Sequence, residues 1–177
     1  FARHWVHNAW VTVKGEKMSK SLGNSLVVAE LLKTYDAPVL RLALGTVHHR
    51  STVEFSDETL ADAAGLWERL SGAVLRAREE TEGGRTSPVD AAVETVRARA
   101  LPAEYTAAMD EDLNLAGAMA VVHATLKRLN TVLAARVSER DAVVDAALDL
   151  RSQLDVMGLD PLAEPWRSRV LGTGPAG

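Results

Sequence analysis

A mainly α fold, opening with a short strand and a polar loop and continuing as an antiparallel helical bundle, is what this sequence predicts. Three observations carry that reading. Residues 4–13, HWVHNAWVTV, are rich in β-branched and aromatic side chains, which suit a pleated strand. Residues 15–24, GEKMSKSLGN, are polar and carry glycine near both ends, the pattern of a loop. From residue 56 onward apolar residues recur three or four apart, with short connections that favour antiparallel neighbours.

The elements follow in order. Residues 4–13 read as one strand, bent near Asn8 and broken at Gly15. A short helix is expected over 27–35. Pro38 opens a second through PVLRLALGTV, because a proline in the first turn gives up an N–H that has no partner there. TVEF at 52–55 is extended. Ser56 is a good N-cap, with Asp57 and Glu58 complementing the helix dipole. The helix it starts should bury Leu60, Ala63, Trp67, Leu70, Val74 and Ala77 and end near Glu82. A weaker helix covers 89–100 and stops at Pro102; another begins near Ala103. Leu115, Ala118, Val122, Leu126, Leu129 and Leu133 mark the clearest amphipathic helix. Ser138 caps a last one, with Val143, Ala147, Leu150, Leu154 and Met157 as its buried stripe. After Gly158 the prolines and glycines predict a flexible tail.

Composition bounds the class. An apolar fraction of 47% and a charged fraction of 25% are those of an ordinary globular protein. No apolar run approaches the roughly 20 residues that span a bilayer, so no membrane partner is expected. With no cysteine, disulfides and thiolate metal sites are excluded, which fits a cytoplasmic protein. The chain starts at Phe1 rather than methionine and reads as a piece of something longer. Its net charge of −4 divides into +4 over residues 1–50 and −8 over 51–177. A basic head on an acidic body suggests that a polyanion is met by the head.

The strongest chemical signal is KMSKS at 17–21. Lys17 and Lys20 are three residues apart and can reach one polyanion from the same side, each as a compact point charge. Ser19 and Ser21 add hydroxyl donors, and Gly15 and Gly23 let the backbone hinge. A loop of this kind can close over a triphosphate and stabilise the charge that develops as pyrophosphate leaves. The alternative is a solvated polar loop.

KMSKSLGN, after a strand and before a helix, resembles the second signature of the class I aminoacyl-tRNA synthetases. The flanks narrow the resemblance. WVHNAWVTVKGEKMSKSLGN, PVLRLALGTVHHRSTVEFSDETL and AAMDEDLNLAGAMAVVHATLKRLN resemble, in order, three stretches of the cysteinyl-tRNA synthetases. The resemblance implies that residues 1–55 are the end of a Rossmann-type catalytic domain with its KMSKS loop and connecting helices. It makes 56–158 a helical tRNA-binding bundle on the anticodon side and leaves 159–177 as the tail. It implies ATP binding by Lys17, Met18, Ser19, Lys20 and Ser21, with Lys20 and Lys17 catalytic on the phosphates and Met18 a packing anchor. Arg50 becomes a candidate for the tRNA backbone, with a structural ion pair as the alternative. The implied whole is a cytoplasmic, monomeric enzyme that joins cysteine to cysteine tRNA using ATP. This chain would be inactive alone, since the H-I-G-H signature and the zinc ligands should lie before Phe1.

Four positions depart from the family pattern: Ala9 for glycine, Val27 for a capping threonine, His49 for tyrosine and Leu115 for threonine. The loss of a cap at Val27 costs about 1 kcal/mol. No metal site is expected in this chain. His4 and His7 would point to opposite faces of a strand, and the adjacent His48 and His49 would diverge if extended. Asp110, Glu111 and Asp112 read as a helix N-terminus, with Asp112 or Asn114 as the cap. Trp67 reads as core, and Trp5 or Trp10 as the lining of a substrate pocket. Two other readings stay open: a related ligase that joins cysteine to an amino-sugar inositol, and a helical binding module that keeps the loop as a relic.

Overall fold

The computed structural model describes residues 1–13, 15–18, 27–82, 86–135 and 139–173. The chain divides into two compact units. One comprises residues 1–67 and 108–117, the other 68–107 and 118–177.

The first unit is built on a three-stranded sheet in the order β2–β1–β3. β1 (Val11–Val13) pairs antiparallel with β2 (Glu16–Lys17), Thr12 standing opposite Lys17 and Val13 opposite Glu16. Only two residues connect the paired positions, and Gly15 takes a φ of 77°, a left-handed value that glycine adopts without penalty. On its other edge β1 pairs parallel with β3 (Val53–Glu54). The strand is shorter than the ten residues expected. Ala9 N–H still donates to the His49 carbonyl at 2.7 Å, but the residues opposite it form the 48–51 turn rather than a strand. Pairing therefore ends at Val11.

Helix α1 (Val28–Leu31) is a single turn, shorter than expected, and its N-cap Val27 makes no side-chain capping bond. Helix α2 (Ala37–Gly45) has Pro38 in its first turn and buries Val39, Leu40, Leu42 and Ala43. Helix α3 (Asp57–Glu80) starts at a reciprocal cap. The Ser56 N–H donates to Thr59 Oγ1 at 2.8 Å, and the Thr59 N–H donates to Ser56 Oγ at 3.2 Å. The turn between α5 (Ala103–Asp110) and α6 (Leu115–Ala134) also belongs here. Asn114 Oδ1 accepts the Gly117 N–H at 2.9 Å, so Asn114 rather than Asp112 caps α6.

The second unit is a helical bundle. Leu70, Val74 and Ala77 of α3, Val122 and Leu129 of α6, and Ala147, Leu150 and Leu154 of α7 (Arg140–Val156) have no exposed surface. Each large apolar side chain so buried contributes about 1.5–3 kcal/mol. Thr125 of α6 bonds Gln153 of α7, while Arg128 pairs with Asp149. Partners thus rise in number along one helix as they fall along the other, which makes α6 and α7 antiparallel. Ser138, expected to cap α7, lies outside the described residues.

Two expectations change in this unit. The helix expected over 89–100 is a 3-10 turn at Pro88–Asp90 followed by the short α4 (Val93–Arg97). The Val89 and Ala91 carbonyls, which a continuous helix would use internally, instead accept from Arg151 Nη1 at 2.5 and 3.0 Å. Arg151 is fully buried and pairs with buried Asp160, Nε to Oδ1 at 2.9 Å and Nη2 to Oδ2 at 2.8 Å. That pair also corrects the flexible tail. Leu159, Asp160 and Leu162 are buried, and a further turn, α8 (Arg167–Val170), follows. Among the described residues no helix is long and apolar enough to cross a membrane.

Candidate phosphate-binding loop and the adjoining ion pair

The sheet fixes where the loop begins. Lys17 lies in β2, and the Met18 N–H donates to the Val11 carbonyl at 3.1 Å, so both enter the loop from a hydrogen-bonded backbone. Met18 is half-buried. Ser19, Lys20 and Ser21 lie outside the described residues. Glu54 of β3 ties the hairpin from the far edge, accepting from Thr12 Oγ1 and from the Gly15 N–H at 3.2 Å.

Lys17 has a partner that the sequence reading missed. Its Nζ stands 3.4 Å from the centre of the Trp10 ring, a cation–π contact. The signal was present in the hairpin. Residues 10 and 12 of an extended chain share a face, and Thr12 is opposite Lys17, so Trp10 is the diagonal cross-strand neighbour of Lys17. Trp10 and Trp5 both remain largely exposed, at 61% and 68%.

A second cluster surrounds the HHRS turn. Arg50 makes a two-pronged pair with Asp112, Nε to Oδ2 at 2.5 Å and Nη2 to Oδ1 at 3.0 Å. The Arg50 hydrogen bond holds the Asp112 carboxyl below the usual carboxylate range, and the Asp112 hydrogen bond raises Arg50 in turn. Asp112 thus serves the ion-pair alternative for Arg50 and not the helix cap.

His48 and His49 do not diverge. Their backbone turns rather than extends, and the rings stack with centres 4.6 Å apart. Their Nε2 atoms face Asp112 at 3.8 and 3.7 Å, so the three side chains have the proximity of metal ligands. The occupancy of their atoms argues otherwise. Arg50 already engages both carboxylate oxygens, and its backbone N–H donates to His48 Nδ1 at 3.2 Å. An accepting Nδ1 leaves the imidazole proton on Nε2, the atom a metal would need bare. The cluster is closed by a guanidinium and is not a fitting metal site. His4 and His7 are exposed on the irregular segment before β1.

Comparison with known proteins bears on both parts of the chain. Residues 1–65 match a family model described as the class I (C) tRNA synthetase catalytic domain, and residues 104–161 match the DALR domain. The chain is similar to the cysteine–tRNA ligase of Beutenbergia cavernae, 50% identical over 170 residues, covering 94% of this chain and 34% of that protein. It is 45% identical over 166 residues to the cysteine–tRNA ligase of Streptomyces coelicolor, covering 94% of this chain and 25% of the relative. For that of Bifidobacterium longum the figures are 43% over 173 residues, 94% and 31%. The chain therefore spans between a quarter and about a third of the length of these relatives. Arg50 lies in the catalytic-domain match and its partner Asp112 in the DALR match, so the ion pair joins the two matched segments. On this agreement across nearly its whole length, the chain belongs to the cysteinyl-tRNA synthetase family.

Proposed function

We propose that this chain supplies the ATP-gripping loop and the tRNA-holding helices of an enzyme that activates cysteine and attaches it to cysteine tRNA. The observation that carries the reading is the anchoring of Lys17 and Met18, the first two residues of KMSKS, on the β1–β2 hairpin of a chain so similar to cysteine–tRNA ligases. Residues 1–55 act as the end of the catalytic domain, and 56–158 as the helical tRNA-binding bundle.

The chemistry is two-step. The cysteine carboxylate attacks the α-phosphate of ATP, and pyrophosphate leaves. Lys20 and Lys17 steady the negative charge that grows on the departing phosphates, with Ser19 and Ser21 donating hydrogen bonds and Met18 packing the loop. The terminal hydroxyl of the tRNA then attacks the carbonyl of the resulting cysteinyl-adenylate, and AMP leaves. No general base from this chain is needed. Zinc, which in the family selects the substrate thiol, finds no fitting donor set among the described residues, since the histidine–carboxylate cluster is closed by Arg50. The enzyme acts as a cytoplasmic monomer. The DALR match over 104–161 favours tRNA over an amino-sugar acceptor, which would need no anticodon-side helices.

The test is Lys20→Glu in a protein of the relatives' full length that carries this chain. ATP–pyrophosphate exchange should fall sharply while the fold is kept. Unchanged exchange would remove Lys20 from the reaction.

A further inference from the structure

The face of the β1–β2 hairpin that carries Lys17 also carries an aromatic ring with little to do in the core. Trp10 is 61% exposed, so burial does not explain its position. Its backbone is nevertheless fixed, because its carbonyl accepts the Val53 N–H at 3.0 Å. Lys17 is fixed in turn by its place opposite Thr12 and by the Met18-to-Val11 bond that follows it. Two anchored backbones therefore bring an indole face and an ammonium to 3.4 Å.

We infer that Trp10 is a positioning residue for Lys17, holding its ammonium at the mouth of the loop where the phosphates of a nucleoside triphosphate arrive. A lysine side chain has many rotamers and a strongly hydrated head, so an unrestrained one loses much freedom when it binds phosphate. The ring's negative face takes one side of the ammonium and confines the stem, while a phosphate approaches from the opposite side. Part of the ordering needed for phosphate binding is thus present beforehand. Trp10 touches no reacting atom and acts only through Lys17. The inference rests on the phosphate-binding reading of the loop.

The experiment uses this chain with inorganic tripolyphosphate as the probe, and compares Trp10→Phe, Trp10→Leu, Lys17→Ala and the Trp10→Leu/Lys17→Ala double variant. NMR should show the Lys17 side-chain methylene protons shifted upfield by the ring in the parent and in Trp10→Phe, and unshifted in Trp10→Leu. Tripolyphosphate affinity should fall roughly two- to fivefold in Trp10→Leu, the size of an exposed cation–π contact, and recover in Trp10→Phe. In the Lys17→Ala background the Trp10→Leu change should have no further effect. Equal affinity of Trp10→Leu and the parent, or losses that simply add in the double variant, would overturn the positioning role. A ring-shifted Lys17 whose removal leaves tripolyphosphate binding unchanged would instead overturn the phosphate reading, and this role with it.

Discussion

Arg50 and Asp112, 62 positions apart in sequence, form a two-pronged ion pair that ties the HHRS turn to the turn between α5 and α6. The second turn needs such support. Asp112 and Leu113 have φ values of 55° and 54°, a left-handed conformation that costs a residue with a side chain about 1 kcal/mol or more. Asn114 completes the support by capping α6 through Gly117. Because the pair is exposed to solvent, its role is geometric rather than a large contribution to stability.

Arg50→Ala should therefore loosen the 111–115 turn without unfolding the chain. Amide hydrogen exchange would report this as faster exchange at Leu113 and Asn114, whose N–H groups bond Met109 and Ala108. Unchanged protection there would mean that the turn holds itself. The pH dependence has a definite sign. Arg50 depresses the Asp112 carboxyl, so the support is present above the ordinary carboxylate pKa and is lost as pH falls through the lowered value. Acidification to that range should reproduce the Arg50→Ala exchange pattern.

The buried pair of the second unit should behave differently. Arg151 and Asp160 have almost no exposure, and Arg151 also holds the carbonyls of Val89 and Ala91. Asp160→Ala leaves a buried guanidinium without its counter-charge and should cost about 3–5 kcal/mol in denaturant unfolding. A loss below 1 kcal/mol would show that water or another acid replaces the carboxylate.

Tyr105 gives a spectroscopic check of the same core. Its hydroxyl donates to the Gln153 carbonyl at 2.9 Å, and burial pushes its pKa from 10.0 up to about 12. The folded state thus keeps the proton more tightly than the unfolded one. The stability this contributes is intact below pH 10 and declines as pH rises toward 12. Ultraviolet titration of tyrosinate should show Tyr105 ionising only near pH 12, or earlier together with unfolding. Ionisation of Tyr105 in the folded chain near pH 10 would contradict its buried placement.

Helix α1 offers a gain rather than a loss. Val27 occupies its N-cap with no side-chain acceptor, where the family resemblance expects a threonine. Val27→Thr should stabilise α1 by about 1 kcal/mol through a hydroxyl that accepts from the Ala29 N–H, read as slower exchange at the Ala29 amide. No change there would mean that the new hydroxyl does not cap the helix.

These cases show what the sequence made legible. Periodic apolar stripes were enough to place α3, α6 and α7, because burial on one helical face leaves its spacing in the residues themselves: Leu70, Val122 and Leu150 all fall where the stripe puts them. Elements decided by distant partners were not legible. The break at Ala91 depends on Arg151, the ordered segment after Gly158 depends on Asp160, and β1 ends early because a turn stands beside it. At the loop the lysines were readable from their motif. Trp10 was readable only through the hairpin register, and Asp112 as the partner of Arg50 had no local signal at all.

The proposed function stands or falls most directly on tRNA. Binding of cysteine tRNA and of a non-cognate tRNA to this chain should be compared across a salt series. Selective binding of cysteine tRNA that weakens steeply as salt rises is the expected result, since phosphate contacts release counterions. A folded chain that binds neither tRNA, or both equally at every salt concentration, would contradict the assignment of its helices as a tRNA platform.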